Sequence, residues 1–393
     1  MSQVCSVFSQ LLQLFSRGEF ERAVRAHAAE RNAKGFSCWG QFVAMLFCQV
    51  ARMNSLREVC LGLACCEAPL KHLGLTETPK KSTLAYANEH RPWELYQTVF
   101  EQMLGKCRAE WAAQGGPRKF RFRNKLMSLD GSIIDLSTSL FDWARYRHTK
   151  GAIKVHLLLD HQGYLPSFAV VTEGKHSELE VARSLRLEPG TILVVDRGYN
   201  DYVWFRELTA EGVFFVTRMK SNTVYEVEQE CAVPEKGNVL RDQIVSLPAL
   251  ARPGEKPVLF RRILCWNPDK QEVLVFFTNL LHLSAATVAA AYKDRWSVEL
   301  FFKALKQIAK VKTFLGTSAN AVKTQIWTAL IAMLILKYLQ MKSTFGWSLS
   351  NLAALLRQQL FIFRDLWAWL NSPWEGPPAA RQLAEQLPMP LTW

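Results

Sequence analysis

One stretch, residues 292–312, constrains this chain more than any other. Its sequence is YKDRWSVELFFKALKQIAKVK. At 100° per residue, one helical face collects a single acid together with polar and cationic side chains, namely Tyr292, Arg295, Glu299, Lys303, Lys306 and Lys310. The apolar side chains fall on the opposite face, namely Leu300, Phe301, Ala304, Leu305 and Ile308. The pattern predicts one amphipathic helix that packs on a core and presents a carboxylate within a row of cations.

Two interpretations of this face are open from the helix alone. A lysine-rich face is commonly a solvated surface with no ligand. Alternatively, Glu299 binds a metal ion while the cations hold a polyanion, since Mg²⁺ sites combine a few carboxylates with substrate phosphate oxygens. The second interpretation requires further acids, brought to the helix by the fold.

Two aspartates upstream meet this requirement. Asp130 ends the predicted strand KLMSLD, and Asp196 follows the apolar strand Thr191–Val195. Each acid taken singly is equally consistent with a turn or a cap, but α/β folds place their sites at the carboxyl edge of the sheet. We therefore predict that Asp130, Asp196 and Glu299 form a catalytic, metal-binding triad.

The chain divides into five predicted regions. Residues 1–122 are mostly helical, and residues 123–220 alternate strands and helices. Residues 221–284 return to strands, residues 285–342 carry the Glu299 helix, and residues 343–393 form a helical region with a proline-rich tail. A short helix around Thr83, Tyr86 and Asn88 is a candidate for DNA reading, although a plain helical bundle with a polar surface fits equally well.

The spacing of the polar face resembles the Y-R-E-K signature of one group of bacterial DDE transposases, the insertion sequence four family. The match is at Tyr292, Arg295, Glu299 and Lys306, and Trp296 and Lys303 also stand where close members place Trp and Lys. The segment VVDRGYND around Asp196 resembles the second-aspartate motif of that family.

The resemblance implies an α/β fold: an RNase H-like catalytic core (123–220 and 285–342) with a β-rich insertion (221–284), a helical N-terminal DNA-binding domain (1–122) and a helical C-terminal region (343–393). It implies cut-and-paste transposition, in which the enzyme binds terminal inverted repeats, cleaves DNA by hydrolysis and transesterification through a hairpin, and transfers the strand to target DNA. The implied cofactor is Mg²⁺, two ions, for which Mn²⁺ can substitute. The implied partners are double-stranded DNA, as transposon ends and target, and a second copy of the chain in a homodimer on DNA.

The resemblance also assigns roles to side chains around the triad. Tyr292, Arg295, Lys303 and Lys306 are expected to hold the phosphate beside the cut. Trp266 and Trp296 are candidates for stacking on a flipped base, with packing in the core as the alternative for each.

Composition agrees with a nucleic-acid partner. The formal charge is +13 and the pI is about 9.4, which favours an anionic partner. Nine cysteines without paired CxxC spacing indicate reduced thiols. The apolar stretch Ile326–Leu339 is interrupted by Thr328 and Lys337, so it predicts a buried helix and no membrane association. We expect a cytoplasmic protein associated with the bacterial nucleoid. Two rival interpretations are another RNase H-like nuclease and an inactive transposase-derived DNA-binding protein.

Overall fold

A computed structural model of the chain describes residues 5–31, 33, 35–65, 70–116, 118–136, 141, 143, 145–147, 150–233, 235–308 and 314–375. The α-helices within these residues are α1 (Val7–Leu12), α2 (Arg17–Ala26), α3 (Cys38–Ala51), α4 (Leu56–Ala64), α5 (Lys81–His90), α6 (Glu94–Ala113), α7 (Glu178–Ser184), α8 (Tyr202–Ala210), α9 (Ala285–Asp294), α10 (Trp296–Ile308), α11 (Ala319–Lys342), α12 (Leu349–Gln359) and α13 (Leu366–Asn371). The strands are β1 (Leu126–Leu136), β2 (Arg145–Arg147), β3 (Lys150–Asp160), β4 (Leu165–Glu173), β5 (Ile192–Val194), β6 (Phe214–Arg218), β7 (Glu226–Glu230), β8 (Val239–Ser246), β9 (Phe260–Asn267) and β10 (Glu272–Thr278).

The chain separates into two compact units. One comprises Met1–Met103, Ile308–Lys310 and Thr324–Trp393, and the other comprises Leu104–Gln307 and Val311–Lys323. The five-region division drawn from the sequence stays a prediction.

The first unit is helical, and serine caps begin several of its helices. Ser55 caps α4: the Glu58 backbone N–H donates to Ser55 Oγ at 3.1 Å, and the Glu58 side chain accepts the backbone N–H of Asn54 at 2.7 Å. Its core is aromatic, with Phe8 and Phe47 at a centroid distance of 5.7 Å.

Helix α11 is long and apolar enough to cross a membrane, but 83% of its apolar window is buried inside the structure. The predicted buried helix is therefore confirmed.

Helix α5, the candidate for DNA reading, presents only part of its expected polar face. Asn88 is buried and accepts a hydrogen bond from Gln41 Nε2 at 2.9 Å, so it is unavailable to a ligand. Tyr86 is exposed and stacks on His90 one turn later. Asn88 was wrongly assigned to the reading surface, because the Gln41 amide satisfies it within the core.

The second unit is built on one mixed sheet with the order β2-β3-β1-β5-β6-β10-β9-β8-β7, and β4 also pairs with β3. Strands β1, β3 and β4 are antiparallel, whereas β5 runs parallel to β1 and β6 parallel to β5. Three antiparallel strands, a helix, a parallel strand, a helix and a further parallel strand are the RNase H-like order that the sequence predicted. Strand β10 then pairs with β6, so the antiparallel strands β7–β10 continue the same sheet.

Apolar side chains cover both faces of this sheet. One cluster contains Leu129 and Leu193 with Phe205 of α8, and the other contains Ile192 and Val194 with Val288 of α9. Because side chains alternate along a strand, the even-numbered residues of β1 share the face on which α9 packs. This face carries Asp130.

Three predicted element boundaries were wrong. Strand β1 does not end at Asp130 but continues to Leu136, since it pairs with β3 along its length up to Leu136 opposite Gly151. The predicted strand at 223–227 lies at Glu226–Glu230, where its pairing with β8 places it. The predicted single helix at 292–312 is two helices that meet at Arg295, where the backbone forms short i→i−3 hydrogen bonds from Arg295 to Tyr292 and from Val298 to Arg295. Residues 309–313, including Lys310, lie outside the described residues.

Candidate active site

The sheet brings the two aspartates side by side. In the parallel pair of β1 and β5, Ser128 lies opposite Val194. Asp130 and Asp196 each follow this pair by two residues, Asp130 still within β1 and Asp196 just beyond the end of β5, and their charges interact. Asp196 itself begins a 3₁₀ turn, and its Oδ1 accepts the Gly198 backbone N–H at 2.8 Å. The predicted neighbourhood of these acids therefore follows from strand pairing.

Glu299 enters the same region from the first turn of α10. Its Oε1 accepts a hydrogen bond from Arg295 Nη2 at 2.5 Å, an ion pair between residues four apart. The Arg295 side chain is only 13% exposed, and its Nε has no hydrogen-bond partner in the described part of the chain. The Arg295 guanidinium thus neutralises Glu299 and still has an unsatisfied donor.

The protonation of Asp130 reports how crowded the acids are. The pKa of Asp130 is raised to about 7, mainly by burial and also by the charges of Asp196 and Glu299. The Gly131 backbone N–H, donating to Asp130 Oδ1 at 2.9 Å, and the charge of Arg295 act in the opposite direction. A carboxylate that is difficult to ionise beside two other acids is typical of functional sites.

A cavity of about 380 Å³ opens in front of these groups. Its lining combines two of the acids with two lysines of α10, in the set Asp130, Gly131, Ser132, Glu299, Phe302, Lys303, Lys306 and Gln307. Lys303 is exposed, and Lys306 Nζ donates to the backbone carbonyl of Ile133 at 3.2 Å. An opening lined by both acids and lysines suits a phosphate group that is bound together with metal cations.

The donor chemistry fits a hard divalent cation, although the acids are not gathered at coordination distance. Within the described residues, no group of three His, Cys, Asp or Glu side chains could hold a metal ion as it stands. Carboxylate oxygens are the ligands that Mg²⁺ and Mn²⁺ prefer, and Asp130 faces like charges that a cation would relieve. Arg295 occupies only Oε1 of Glu299, so Oε2 would be the oxygen that coordinates a cation. The expected coordinated triad is therefore present as three neighbouring acids, not as a formed metal cage.

The remaining predicted residues are distributed around the opening. Tyr292, on α9, packs its ring on Phe276 at 5.1 Å, and the Arg295 guanidinium carbon lies 5.7 Å from the Tyr292 ring centroid. Burial raises the pKa of Tyr292, so its hydroxyl remains a donor at neutral pH. Leu300, expected in the apolar core, is instead 51% exposed, whereas Phe301 and Leu305 are buried.

Both tryptophans that were candidates for base stacking are exposed. Trp266, on β9, is 39% exposed and Trp296, at the start of α10, is 56% exposed. Packing in the core, the alternative for each ring, does not occur. Their stacking on a base stays a prediction.

Sequence reasoning missed the buried polar groups behind the site. Asp294 directly precedes Arg295 and enters a network with His161, Lys119 and Tyr164. Tyr199 is 1% exposed, and its hydroxyl has no hydrogen-bond partner in the described part of the chain. The position of Asp294 directly before Arg295 was visible in the sequence. Its partners in the network, however, are 130 to 175 residues distant, and no spacing reveals them.

A mixed α/β sheet with acids beside a lysine-lined opening suits a phosphate-containing ligand that is bound together with a divalent cation. Comparison with known families is more specific. The family described as transposase DDE domain matches residues 122–335, and a domain of unknown function (DUF4372) matches residues 3–76. The chain belongs to the DDE-domain transposase family.

Named relatives agree with this membership. The chain is 28% identical over 308 residues to transposase y4zB of Sinorhizobium fredii, covering 77% of this chain and 84% of that protein. It is 27% identical over 308 residues to a transposase for insertion sequence element IS5377 of Geobacillus stearothermophilus, covering 76% of each. A solved structure, the piggyBac transposase synaptic complex with hairpin DNA, aligns over 89% of this chain and 79% of its own, with a TM-score of 0.44 and 11% identity.

Proposed function

We propose that this protein is a cut-and-paste DNA transposase that binds the terminal inverted repeats of its own element. The observation that carries the proposal is an opening lined by Asp130 and Glu299 together with Lys303 and Lys306, with the charge of Asp196 close enough to raise the pKa of Asp130. Asp130, Asp196 and Glu299 supply carboxylate oxygens for divalent cations, and Lys303 and Lys306 supply charge for a DNA phosphate.

Mg²⁺ or Mn²⁺, as two bound ions, would activate the attacking oxygen and stabilise the leaving oxygen of the scissile phosphate. The protein's own part is to hold the oxygen ligands on rigid elements. Asp130 is fixed within a strand that is hydrogen-bonded on both sides, and Glu299 is fixed on a helix whose Phe301 and Leu305 are buried. Such anchoring limits the motion of each carboxylate to rotation of its own side chain.

The phosphate beside the cut would be held by Tyr292, Arg295, Lys303 and Lys306. Arg295 is suited to this role because its buried Nε lacks a partner in the described structure while Nη2 holds Glu299. An Arg fork matches phosphate oxygens in two directions, whereas each lysine offers a point charge. In this proposal, Arg295 connects the DNA phosphate to the metal-binding carboxylate.

The reaction order that the resemblance implies uses in-line attack at one site. Water nicks the end, the freed 3′-OH closes a hairpin, water opens it, and the 3′-OH then attacks target DNA. Trp266 and Trp296 expose ring area on which a base displaced at the hairpin would stack. Pairing of two ends calls for a homodimer on DNA, and the charge of +13 favours the nucleoid as the place of action.

A cleavage assay tests the proposal. The purified chain is incubated with a linear DNA carrying the inverted repeats that flank its reading frame, with Mg²⁺, with Mn²⁺ and with EDTA. We expect cleavage at the repeat boundary only with a divalent ion, and loss of cleavage in Glu299→Gln with DNA binding retained. Glu226→Gln, an exposed acid on β7, is the matched control and should cleave as the parent does. Equal cleavage by Glu299→Gln and the parent would refute the site.

A further inference from the structure

A buried chain of hydrogen bonds connects the strand of Asp130 with the helix junction that carries Arg295. Ser128 Oγ lies 2.7 Å from His161 Nε2, and His161 Nδ1 lies 2.6 Å from Asp294 Oδ2. Ser128 precedes Asp130 by two residues on the same face of β1, and Asp294 directly precedes Arg295. The three side chains therefore join the two parts of the active site through the interior of the second unit.

The order Ser, His, Asp also resembles a nucleophilic triad, but burial excludes that use. Ser128 is 0% exposed, and the His161 and Asp294 side chains are 5% and 4% exposed. A substrate carbonyl could not reach Ser128 Oγ without opening the sheet. The three side chains are therefore suited to positioning other residues and not to nucleophilic attack.

Asp294 is held from several directions. Lys119 Nζ donates to Oδ1 at 2.5 Å, the Tyr164 hydroxyl reaches Oδ2 at 3.3 Å, and Ser297 Oγ reaches Oδ1 at 3.4 Å. Burial alone would raise the pKa of Asp294, but hydrogen bonds from His161 and Lys119 lower it to about 2. Asp294 is thus ionised at neutral pH and accepts Nδ1–H of His161, which leaves Nε2 to accept the Ser128 hydroxyl.

The network also surrounds the junction where α9 ends and α10 begins. Asp294 is the last residue of α9, and its donors come from segments before β1 (Lys119), after β3 (His161 and Tyr164) and at the start of α10 (Ser297). Tyr164 adopts a left-handed backbone, with φ at 52°, which is unfavourable for a bulky residue and persists only when its surroundings impose it. The network therefore surrounds the junction from which α10, with Glu299 in its first turn, begins.

We propose that Ser128, His161 and Asp294 are positioning residues that set the separation of Asp130 from the Arg295–Glu299 pair, and so tune metal binding by the site. The inference rests on the proposed function for its catalytic meaning. Side chains that orient metal ligands from behind typically change metal affinity or activity by about 10- to 100-fold when removed.

The test uses Asp294→Asn in the full chain. Its matched control is Asp242→Asn, because Asp242 is likewise buried and ion-paired, accepting Arg261 Nε at 2.7 Å and Nη2 at 2.6 Å between β8 and β9. Both variants lose one buried carboxylate charge, but only Asp294→Asn changes the residue that directly precedes Arg295. Mn²⁺ binding by electron paramagnetic resonance and the Mg²⁺ dependence of DNA cleavage are measured well below each variant's Tm.

We expect Asp294→Asn to weaken Mn²⁺ binding and to raise the Mg²⁺ concentration for half-maximal cleavage by about 10-fold, with both values unchanged in Asp242→Asn. Parent-like Mn²⁺ and Mg²⁺ dependence in Asp294→Asn would overturn the inference. If Asp294→Asn does not fold, Ser128→Ala takes its place, because it removes one hydrogen bond of the network and keeps the ion pairs of Asp294. The same changes in Mn²⁺ binding and Mg²⁺ dependence are then expected.

Hydrogen–deuterium exchange separates this inference from the proposed function. Asp294→Asn should accelerate amide exchange at residues 292–299 at least several-fold relative to Asp242→Asn, whether or not the chain cleaves DNA. Unchanged exchange there would overturn the positioning role. Absence of cleavage by the parent, with accelerated exchange in the variant, would instead count against the proposed function.

Discussion

Replacing Asp130 by Asn should stabilise the metal-free protein at alkaline pH. The pKa of Asp130 is raised from 3.8 to about 7, so the folded state favours the protonated acid. The sign follows directly: this contribution to stability is complete below pH 3.8 and is lost as the pH rises through about 7. The amide introduced by Asp130→Asn cannot ionise, so the variant keeps the contribution at every pH.

The size of the effect follows from the pKa difference. At about 1.4 kcal/mol for each tenfold change in protonation, the shift from 3.8 to about 7 corresponds to about 4 kcal/mol at pH 8 or above. Asp130 is half-buried at the edge of an open cavity, where water reduces the cost of the charge, so we expect about 2 kcal/mol. For a unit of this size, that is a rise in Tm of about 4–8 °C.

Thermal unfolding of the parent and Asp130→Asn, followed from pH 4 to pH 8.5 in EDTA, measures this effect. The difference between the two curves should be small near pH 4, grow up to about pH 7 and stay constant above it, and added Mg²⁺ should raise the Tm of the parent more than that of the variant. Asp135→Asn is the control, because Asp135 lies on the same strand but is exposed. Parallel curves for the parent and Asp130→Asn across the whole range would refute the account of crowded acids.

Two further predictions concern DNA. Lys306→Ala should weaken binding to a transposon end by about 10-fold and reduce the slope of log K against log salt by about one, measured by fluorescence anisotropy at several salt concentrations, and an unchanged slope would exclude a phosphate contact. Trp296→Ala should change the Tm by less than about 2 °C because the ring is 56% exposed, yet slow hairpin formation on a labelled DNA end, and equal hairpin yields from the variant and the parent would exclude base stacking by this ring.

The fold class and the catalytic strands were predictable because they depend on local pattern. The apolar run before Asp196 predicted a buried strand, and β5 lies there with its side chains fully buried. The alternation of strands and helices between 123 and 220 predicted the order of the core. The end of β1 was not predictable, because its residues beyond Asp130 become a strand only through pairing with β3.

The sequence proposed residues for the candidate site but could not show how their side chains connect. The spacing of Tyr292, Arg295 and Glu299 suggested these residues, but one helical wheel could not show that the helix is interrupted at Arg295. Nor could it show that Arg295 binds Glu299, since a residue at i+4 is only one of several partners available to an arginine. Distant partners such as His161 and Asp294 meet only after the sheet is assembled.

The central claim is that Asp130, Asp196 and Glu299 together hold divalent ions against a DNA phosphate. Anomalous scattering from Mn²⁺ in crystals of the chain bound to a cleaved transposon end tests it most directly. The account predicts two manganese peaks, each about 2.0–2.3 Å from carboxylate oxygens of these residues, with Arg295 on the phosphate. Manganese bound away from these three acids, beside an ordered DNA end, would contradict it.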